Sequence, residues 1–174
     1  MCAAARVVHV RKNWTKSRVL GVTSVDRQLY VLLDRNENQV AVYRFGKPLS
    51  ARYRLRRHLN LPGVEPNTIN DVTSCVQRRC LYTCMSDCRN RCIHRCDLAS
   101  SATSKWSVSG KPRGVSVTSS GNLLVTCEGA PNKLVELSAD SGQCVREITL
   151  RADHWHNVQL TTGHLFSIKF SQSY

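Results

Sequence analysis

Short apolar runs alternate with polar clusters along most of this chain. Three runs rich in leucine, valine, tyrosine and cysteine occupy residues 29–33, 80–84 and 123–127, and a polar stretch follows each one. Short runs bounded by turn-forming residues are typical of β-strands. No segment keeps a helical hydrophobic period over three turns. The pattern therefore predicts an all-β protein.

A similar turn signature follows each run. It opens on an acidic residue, which is Asp34, Asp87 or Glu128, and an aliphatic residue stands six positions later. The opening acids lie 53 and 41 residues apart, and a hairpin repeat of about 40–50 residues predicts propeller blades. We expect each acid to accept backbone N–H groups two residues further on. We expect Asn38 and Asn132 to take left-handed turn positions.

The repeats predict four-stranded antiparallel blades, so the fold class is a partial β-propeller. Their approximate bounds are 19–60, 68–108 and 112–150, with a fourth, incomplete repeat at 154–174 and an arm or extra strand at 1–18. A closed propeller needs about four to eight blades, and a repeat is stable only when its faces are buried against neighbours. We therefore expect either a fragment of a larger protein or a half-propeller that pairs with a second copy.

The outermost strand of each blade is predicted from more polar segments, at residues 50–55, 105–108 and 143–150. Residues 56–70 contain two Pro-containing turn signals and are predicted to form a loop. Gly121 lies where a tight hairpin turn needs a positive φ angle.

The hairpins resemble those of the NHL family of six-bladed propellers, within the TolB-like superfamily. That family's hairpin has the form acid-x-x-Asn-Asn-x-Val/Ile. Residues 34–43 and 87–97 match it well, residues 128–137 match it loosely, and the resemblance covers 19–174. It implies a binding face for RNA or for proteins. No RING-type zinc spacing is present in the chain, so a ligase role is not implied.

The charge is strongly positive and unevenly distributed. The formal net charge is +13, and residues 1–100 carry 18 Lys and Arg against 7 Asp and Glu. Such an imbalance favours an anionic partner, either nucleic acid or an acidic protein surface. The alternative is a solvated basic surface with no specific partner. No signal peptide or membrane-spanning stretch is recognisable, so we expect a cytoplasmic protein that does not contact a membrane.

The sharpest basic cluster lies near residue 54. On a strand, Arg52, Arg54 and Arg56 share one face, where they could bind phosphates, while a nearby Tyr53 could stack on a base. The alternative is a solvated outer strand whose arginines prevent edge aggregation. The full set of candidate binding residues is Arg52, Tyr53, Arg54, Arg56, Arg57, Arg78, Arg79, Arg89 and Arg91.

Cysteines recur every four residues from Cys80 to Cys96. A hairpin centred on Cys88 places Cys84 opposite Cys92 and Cys80 opposite Cys96, which would allow disulfides or a metal site. A shift of one residue in the register abolishes both pairings. The interpretation we favour is small buried thiols, because cytoplasmic thiols stay reduced and this spacing fits zinc poorly.

No catalytic constellation is recognisable, since the chain has no nucleophile elbow, P-loop or dinucleotide glycine motif. We expect a binding module that is not an enzyme and needs no cofactor. A protein partner is the leading hypothesis, and single-stranded RNA bound by the basic half is the alternative. A third hypothesis is the remnant of a propeller hydrolase, although a half ring lacks most of the metal ligands such enzymes use.

Overall fold

The computed structural model describes residues 19–33, 39–45, 53–61, 68–86, 91–150, 156–159 and 165–168. Every regular element in these ranges is a β-strand. None of the described residues form a helix long and apolar enough to cross a membrane. The prediction of an all-β chain is therefore confirmed.

Twelve of the strands form three four-stranded antiparallel sheets, each with its strands in chain order. Sheet A contains β1 (Val19–Val25), β2 (Gln28–Leu33), β3 (Gln39–Phe45) and β4 (Tyr53–Asn60). Sheet B contains β5 (Ile69–Cys75), β6 (Cys80–Ser86), β7 (Arg91–Asp97) and β8 (Thr103–Ser107). Sheet C contains β9 (Lys111–Val117), β10 (Leu123–Glu128), β11 (Asn132–Leu137) and β12 (Cys144–Leu150), and a separate hairpin joins β13 (His156–Gln159) to β14 (Leu165–Ile168).

The sheets stack face to face through two apolar layers. Between sheets A and B the layer includes Val42 and Leu32 from one side and Leu81 and Cys96 from the other. Tyr82 and Ile93 of sheet B contribute to the layer that sheet B forms with sheet C. The first strands of the sheets, β1, β5 and β9, are neighbours in space, and β13 lies beside β9. This radial stacking of meander sheets is the arrangement of a partial propeller.

Polar contacts also join the innermost strands. The Thr23 and Ser74 hydroxyl oxygens lie 2.6 Å apart, and Ser74 Oγ donates to the carbonyl oxygen of Ser24 at 2.9 Å. Between sheets B and C, Asn70 Nδ2 donates to the carbonyl oxygen of Pro112 at 2.8 Å. These bonds satisfy polar groups where two sheets meet, so they help fix the position of each sheet against the next.

The first outer strand differs from its predicted position. β4 begins at Tyr53 and continues to Asn60, so residues 56–60 belong to a strand and not to the predicted loop. Four of these residues, Arg57 to Asn60, pair with β3, and Arg56 lies at a bulge. The sequence of β4 predicts a strand only weakly. An outer strand is solvated, so it lacks the apolar alternation by which buried strands are recognised.

The turn signature can be checked in its third copy, since residues 34–38 and 87–90 lie outside the described residues. Glu128 pairs with the guanidinium group of Arg113. Asn132 Oδ1 accepts the N–H group of Gly129 at 2.9 Å. Asn132 does not have a positive φ angle, whereas Gly121 does, at 84°. The predicted left-handed position of Asn132 is therefore wrong and the role of Gly121 is confirmed, while the turn role of Glu128 stays a prediction.

Candidate binding surface on the first sheet

A β-bulge sets the direction of the arginines on β4. Arg54 lies opposite Arg44 and Leu55 opposite Tyr43, but the next partner pair is Arg57 with Val42, so Arg56 is the extra residue. Directly opposed residues share one face of a sheet. Arg44, Arg54 and Arg57 therefore share one face of sheet A. The prediction that Arg54 and Arg56 share a face fails, because the bulge at Arg56 interrupts the regular alternation of the strand. We call these three exposed residues the arginine rim.

The arginine rim lies on the side of sheet A that turns towards sheet B. Val42, which alternates with Arg44 along β3, packs in the apolar layer between the two sheets. Burial raises the pKa of Tyr30 in this layer, and the positive charge of Arg57 opposes that rise. Burial likewise raises the pKa of Cys96 on sheet B, against the charge of Arg57. Arg57 thus stands at the outer edge of the gap between sheets A and B.

The rim arginines have no acidic partner among the residues that the structure describes. The ion pairs found there involve other basic residues, such as Arg113 with Glu128 and Lys133 with Glu147. Like charges directly opposite each other on neighbouring strands destabilise a sheet, and Arg44 and Arg54 form such a pair. An anion placed between them would relieve that repulsion, and a guanidinium fork suits carboxylates and phosphates.

Tyr53 lies on the opposite face from the rim. It is the partner of Phe45 across β3 and β4, and the two rings make an edge contact with centroids 5.2 Å apart. Tyr53 also packs against an apolar cluster formed by Val31, Ala41 and Tyr43. Its ring is therefore not placed to stack on a base held by Arg54 and Arg57.

Arg78 and Arg79 connect neighbouring sheets. In the turn between β5 and β6, Arg78 donates from Nε and Nη2 to the two carboxylate oxygens of Asp140 at 3.1 and 3.2 Å, and from Nη1 to the carbonyl oxygen of Gly121 at 3.2 Å. These contacts join sheet B to sheet C. Arg79 lies 3.3 Å from the carboxylate of Asp26, which joins sheet B to sheet A. Both arginines thus have structural partners.

The remaining candidate arginines do not extend the rim. Arg91 is exposed at the start of β7, where it lies opposite Ser86 at the far end of β6 from Arg78 and Arg79. A strand of seven residues separates these ends by about 20 Å. Arg52 and Arg89 lie outside the described residues. The predicted patch is thus divided: Arg54 and Arg57 lie on the rim with Arg56 at the adjoining bulge, whereas Arg78 and Arg79 lie in a turn of sheet B. Arg44, which sequence reasoning missed, completes the rim, and its signal was its alternation with Val40 and Val42.

The cysteine register also differs from the one that would allow pairing. Cys84 lies opposite Ile93 and Cys92 opposite Met85, while Cys80 and Cys96 lie opposite Asp97 and Leu81. The shift of one residue places Cys80 and Cys84 on the face of sheet B towards sheet C, and Cys96 on the other face. The alternative of a metal site built from Cys80, Cys84, Cys92 and Cys96 is therefore wrong. Within the described ranges no group of three metal-binding side chains converges.

The cysteines of the apolar layers are buried thiols. Burial raises the pKa of Cys127 to about 12 and the pKa of Cys84 well above its ordinary value. A neutral thiol in an apolar layer behaves as a small hydrophobic side chain. The favoured interpretation of small buried thiols agrees with the burial of Cys80, Cys84, Cys92 and Cys96.

Comparison with known proteins supports the fold. No protein-family model and no curated protein matches the chain. Among solved structures, the chain is similar to the WD40 β-propeller domain of Doa1, with a TM-score of 0.63 and 12% sequence identity. The match covers 86% of this chain and 47% of that one, so the chain spans about half the length of the neighbour. At this identity the likeness establishes a propeller fold and nothing finer.

Proposed function

We propose that this chain is a propeller-type binding module that holds an acidic segment of a protein partner on its arginine rim. The observation that carries the proposal is the set of three exposed arginines, Arg44, Arg54 and Arg57, on one face without an acidic partner among the described residues. The propeller fold supports it, because stacked meander sheets offer a rigid frame on which side chains keep their spacing. The expectation that the module is not an enzyme stays a prediction.

Single-stranded RNA is the second candidate partner. The uneven net charge of +13 favours it, since arginines bind phosphate as well as carboxylate. Binding of single strands usually combines positive charge with aromatic stacking, and the ring of Tyr53 packs against Phe45 on the other face of the sheet. We therefore rank an acidic protein segment first.

A second part of the proposal concerns how the propeller ring is completed. We propose an NHL-type, six-bladed ring, completed either by a longer polypeptide or by a second copy of this chain. The match to 47% of a propeller domain supports an incomplete ring. The NHL type rests only on the resemblance of the hairpins at 34–43 and 87–97 to that family. Light scattering on the purified chain tests the second route. A folded dimer supports two half-rings, and a folded monomer contradicts them.

Partner class can be tested by fluorescence anisotropy. The full chain is titrated into a labelled oligoglutamate peptide and, separately, into a labelled oligouridylate of equal charge, at about 50 and 200 mM salt. We expect tighter binding of the peptide. The variant Arg54→Glu should weaken it at least about tenfold, because a like charge at the contact repels the ligand.

The matched control is Arg91→Glu, which makes the same change in net charge. Arg44 of the rim lies opposite Gln28, beside the turn whose Asp26 contacts Arg79, and Arg91 lies at the other end of β6, about 20 Å from Arg79. We expect Arg91→Glu to change peptide affinity less than about twofold, as expected for a distant exposed charge. An equal loss in both variants would overturn the rim as the site, since only the overall charge would then matter. Tighter binding of the RNA, lost in Arg54→Glu alone, would establish the second candidate.

A further inference from the structure

Two cysteines face each other where the β5–β6 hairpin opens into its turn. Cys75 and Cys80 are directly opposed partners on neighbouring strands, and both side chains belong to the apolar layer between sheets B and C. Directly opposed residues of antiparallel strands have Cα atoms about 4.5–5.5 Å apart, and disulfides span Cα distances of about 4.4–6.8 Å. The backbone therefore holds these two thiols within reach of each other.

No other pair of cysteines is opposed in this way in the described ladders. Cys84 lies opposite Asp71 on β5 and opposite Ile93 on β7, and Cys92 lies opposite Met85. Cys127 lies opposite Pro112 and Lys133. The pair at the hairpin end was missed in the sequence because Cys75 falls outside the four-residue repeat of the other cysteines.

An arginine stands next to each thiol of the pair. Arg78 Nη1 lies 4.0 Å from Cys75 Sγ. Arg95 interacts with Cys80. Burial lowers the pKa of the Arg95 guanidinium group, but its hydrogen bond with Cys80 acts in the opposite direction, and the pKa is raised overall. Cysteines that react with oxidants typically lie in electropositive surroundings. The pair thus combines proximity with a neighbouring guanidinium group for each sulfur.

We propose that Cys75 and Cys80 form a peroxide-sensitive pair that closes into an intramolecular disulfide. One thiolate attacks hydrogen peroxide, the O–O bond breaks, and a sulfenic acid forms with release of water. The second thiolate attacks that sulfur, the S–S bond forms and a second water leaves. The two thiols lose two electrons and two protons, which reduce one peroxide to two water molecules.

The oxidant must be small. Cys75 is 4% exposed and Cys80 is 0% exposed, so a bulky disulfide such as oxidised glutathione is excluded by size where peroxide is not. The cross-link would close the hairpin at the turn that carries Arg78 and Arg79, which contact sheets C and A. Oxidation would therefore hold in place the turn that links all three sheets.

Peptide mapping tests the proposal on the full, folded chain. The reduced protein is treated with hydrogen peroxide, the remaining thiols are alkylated in denaturant, and the product is digested with trypsin. Trypsin cuts after Arg78 and Arg79, so Cys75 and Cys80 leave on separate peptides unless a disulfide joins them. We expect a joined pair that is lighter than the two peptides by two hydrogen atoms and that separates on reduction.

Two variants assign the bond, because the peptide that begins at Cys80 also contains Cys84 and Cys88. Cys84→Ser should keep the joined pair and Cys80→Ser should lose it, with circular dichroism confirming that each variant is folded. The same treatment in urea is the control for geometry, and it should scatter the cross-links over many cysteines. Oxidation of the folded chain without a joined pair, or a pair that survives in folded Cys80→Ser, would overturn the proposal.

Discussion

The carboxylate of Asp71 accepts a hydrogen bond from the backbone N–H group of Val115, with Oδ2 3.1 Å from the nitrogen. The other carboxylate oxygen accepts the N–H group of Val72 at 2.8 Å. Sheet A approaches the same group, because a Cβ atom added to Gly21 would lie 2.9 Å from Asp71 Oδ1. One side chain on β5 therefore bonds to β9 and lies against β1, at the place where three sheets converge.

Replacing this carboxylate is expected to destabilise the stack. Asp71→Ala leaves the N–H group of Val115 without its acceptor, and we expect the free energy of unfolding to fall by about 1–3 kcal/mol. Urea denaturation followed by circular dichroism measures the change. Asp71→Asn keeps one acceptor oxygen and should give a smaller loss. If Asp71→Ala is as stable as the wild type, the contact does not hold the sheets together.

A second contact between sheets depends on the absence of a side chain. Gly142, in the turn between β11 and β12, has a φ angle of +71°, and a Cβ atom there would overlap the indole ring of Trp106 on β8. Gly142→Ala should therefore lower the free energy of unfolding by about 2–4 kcal/mol, through overpacking and the left-handed backbone together. Thermal denaturation provides the comparison.

Gly129→Ala is the matched control for this substitution. Gly129 is exposed, and the nearest contact to an added Cβ atom is the carbonyl oxygen of Pro131 at 3.3 Å. We expect a change within about 0.5 kcal/mol, as for ordinary surface substitutions. Equal effects at the two positions would show that Trp106 does not restrict the turn.

The blades could be predicted because their middle strands are buried on both faces. The apolar runs at 80–84 and 123–127 lie within β6 and β10, and both are buried throughout. The outer strands could not be delimited in the same way. β12 is exposed along almost its whole length, and β4 carries a bulge at Arg56 that depends on its pairing with β3.

The candidate site was harder to predict than the fold, because it depends on contacts distant in the chain. Arg78 and Asp140 are 62 residues apart in sequence, and nothing local distinguishes Arg78 from Arg54. Arg78 is a structural residue because its turn lies against Asp140 of sheet C, whereas Arg54 is a candidate binding residue on the outer strand of sheet A. The cysteine pairing depended on a shift of one residue in the hairpin, which apolar patterns cannot resolve when nearly every position is buried.

The acid stability of the chain is expected to depend on carboxylates that are ionised and bonded in the fold. Hydrogen bonding to Arg78, aided by its charge, lowers the pKa of Asp140, and hydrogen bonds from Ser100 and Ala99 lower the pKa of Asp97. A carboxylate with a lowered pKa stabilises the fold fully above its unfolded pKa, and this contribution is lost as the pH falls through its folded pKa. We therefore expect this part of the stability to decline as the pH falls below about 3.8, the ordinary pKa of the carboxyl group.

Asp140→Asn isolates one of these carboxylates. The substitution keeps the side-chain shape but removes the charge that pairs with Arg78, so we expect a lower urea midpoint than the wild type at about pH 6, where the wild-type carboxylate is ionised. As the pH falls below 3.8 the wild-type carboxyl group becomes protonated, and the difference between the two midpoints should shrink. Urea denaturation across this range measures both curves. A difference that stays constant with pH would mean that Arg78 stabilises the turn through Gly121 and Cys75 and not through the charge of Asp140.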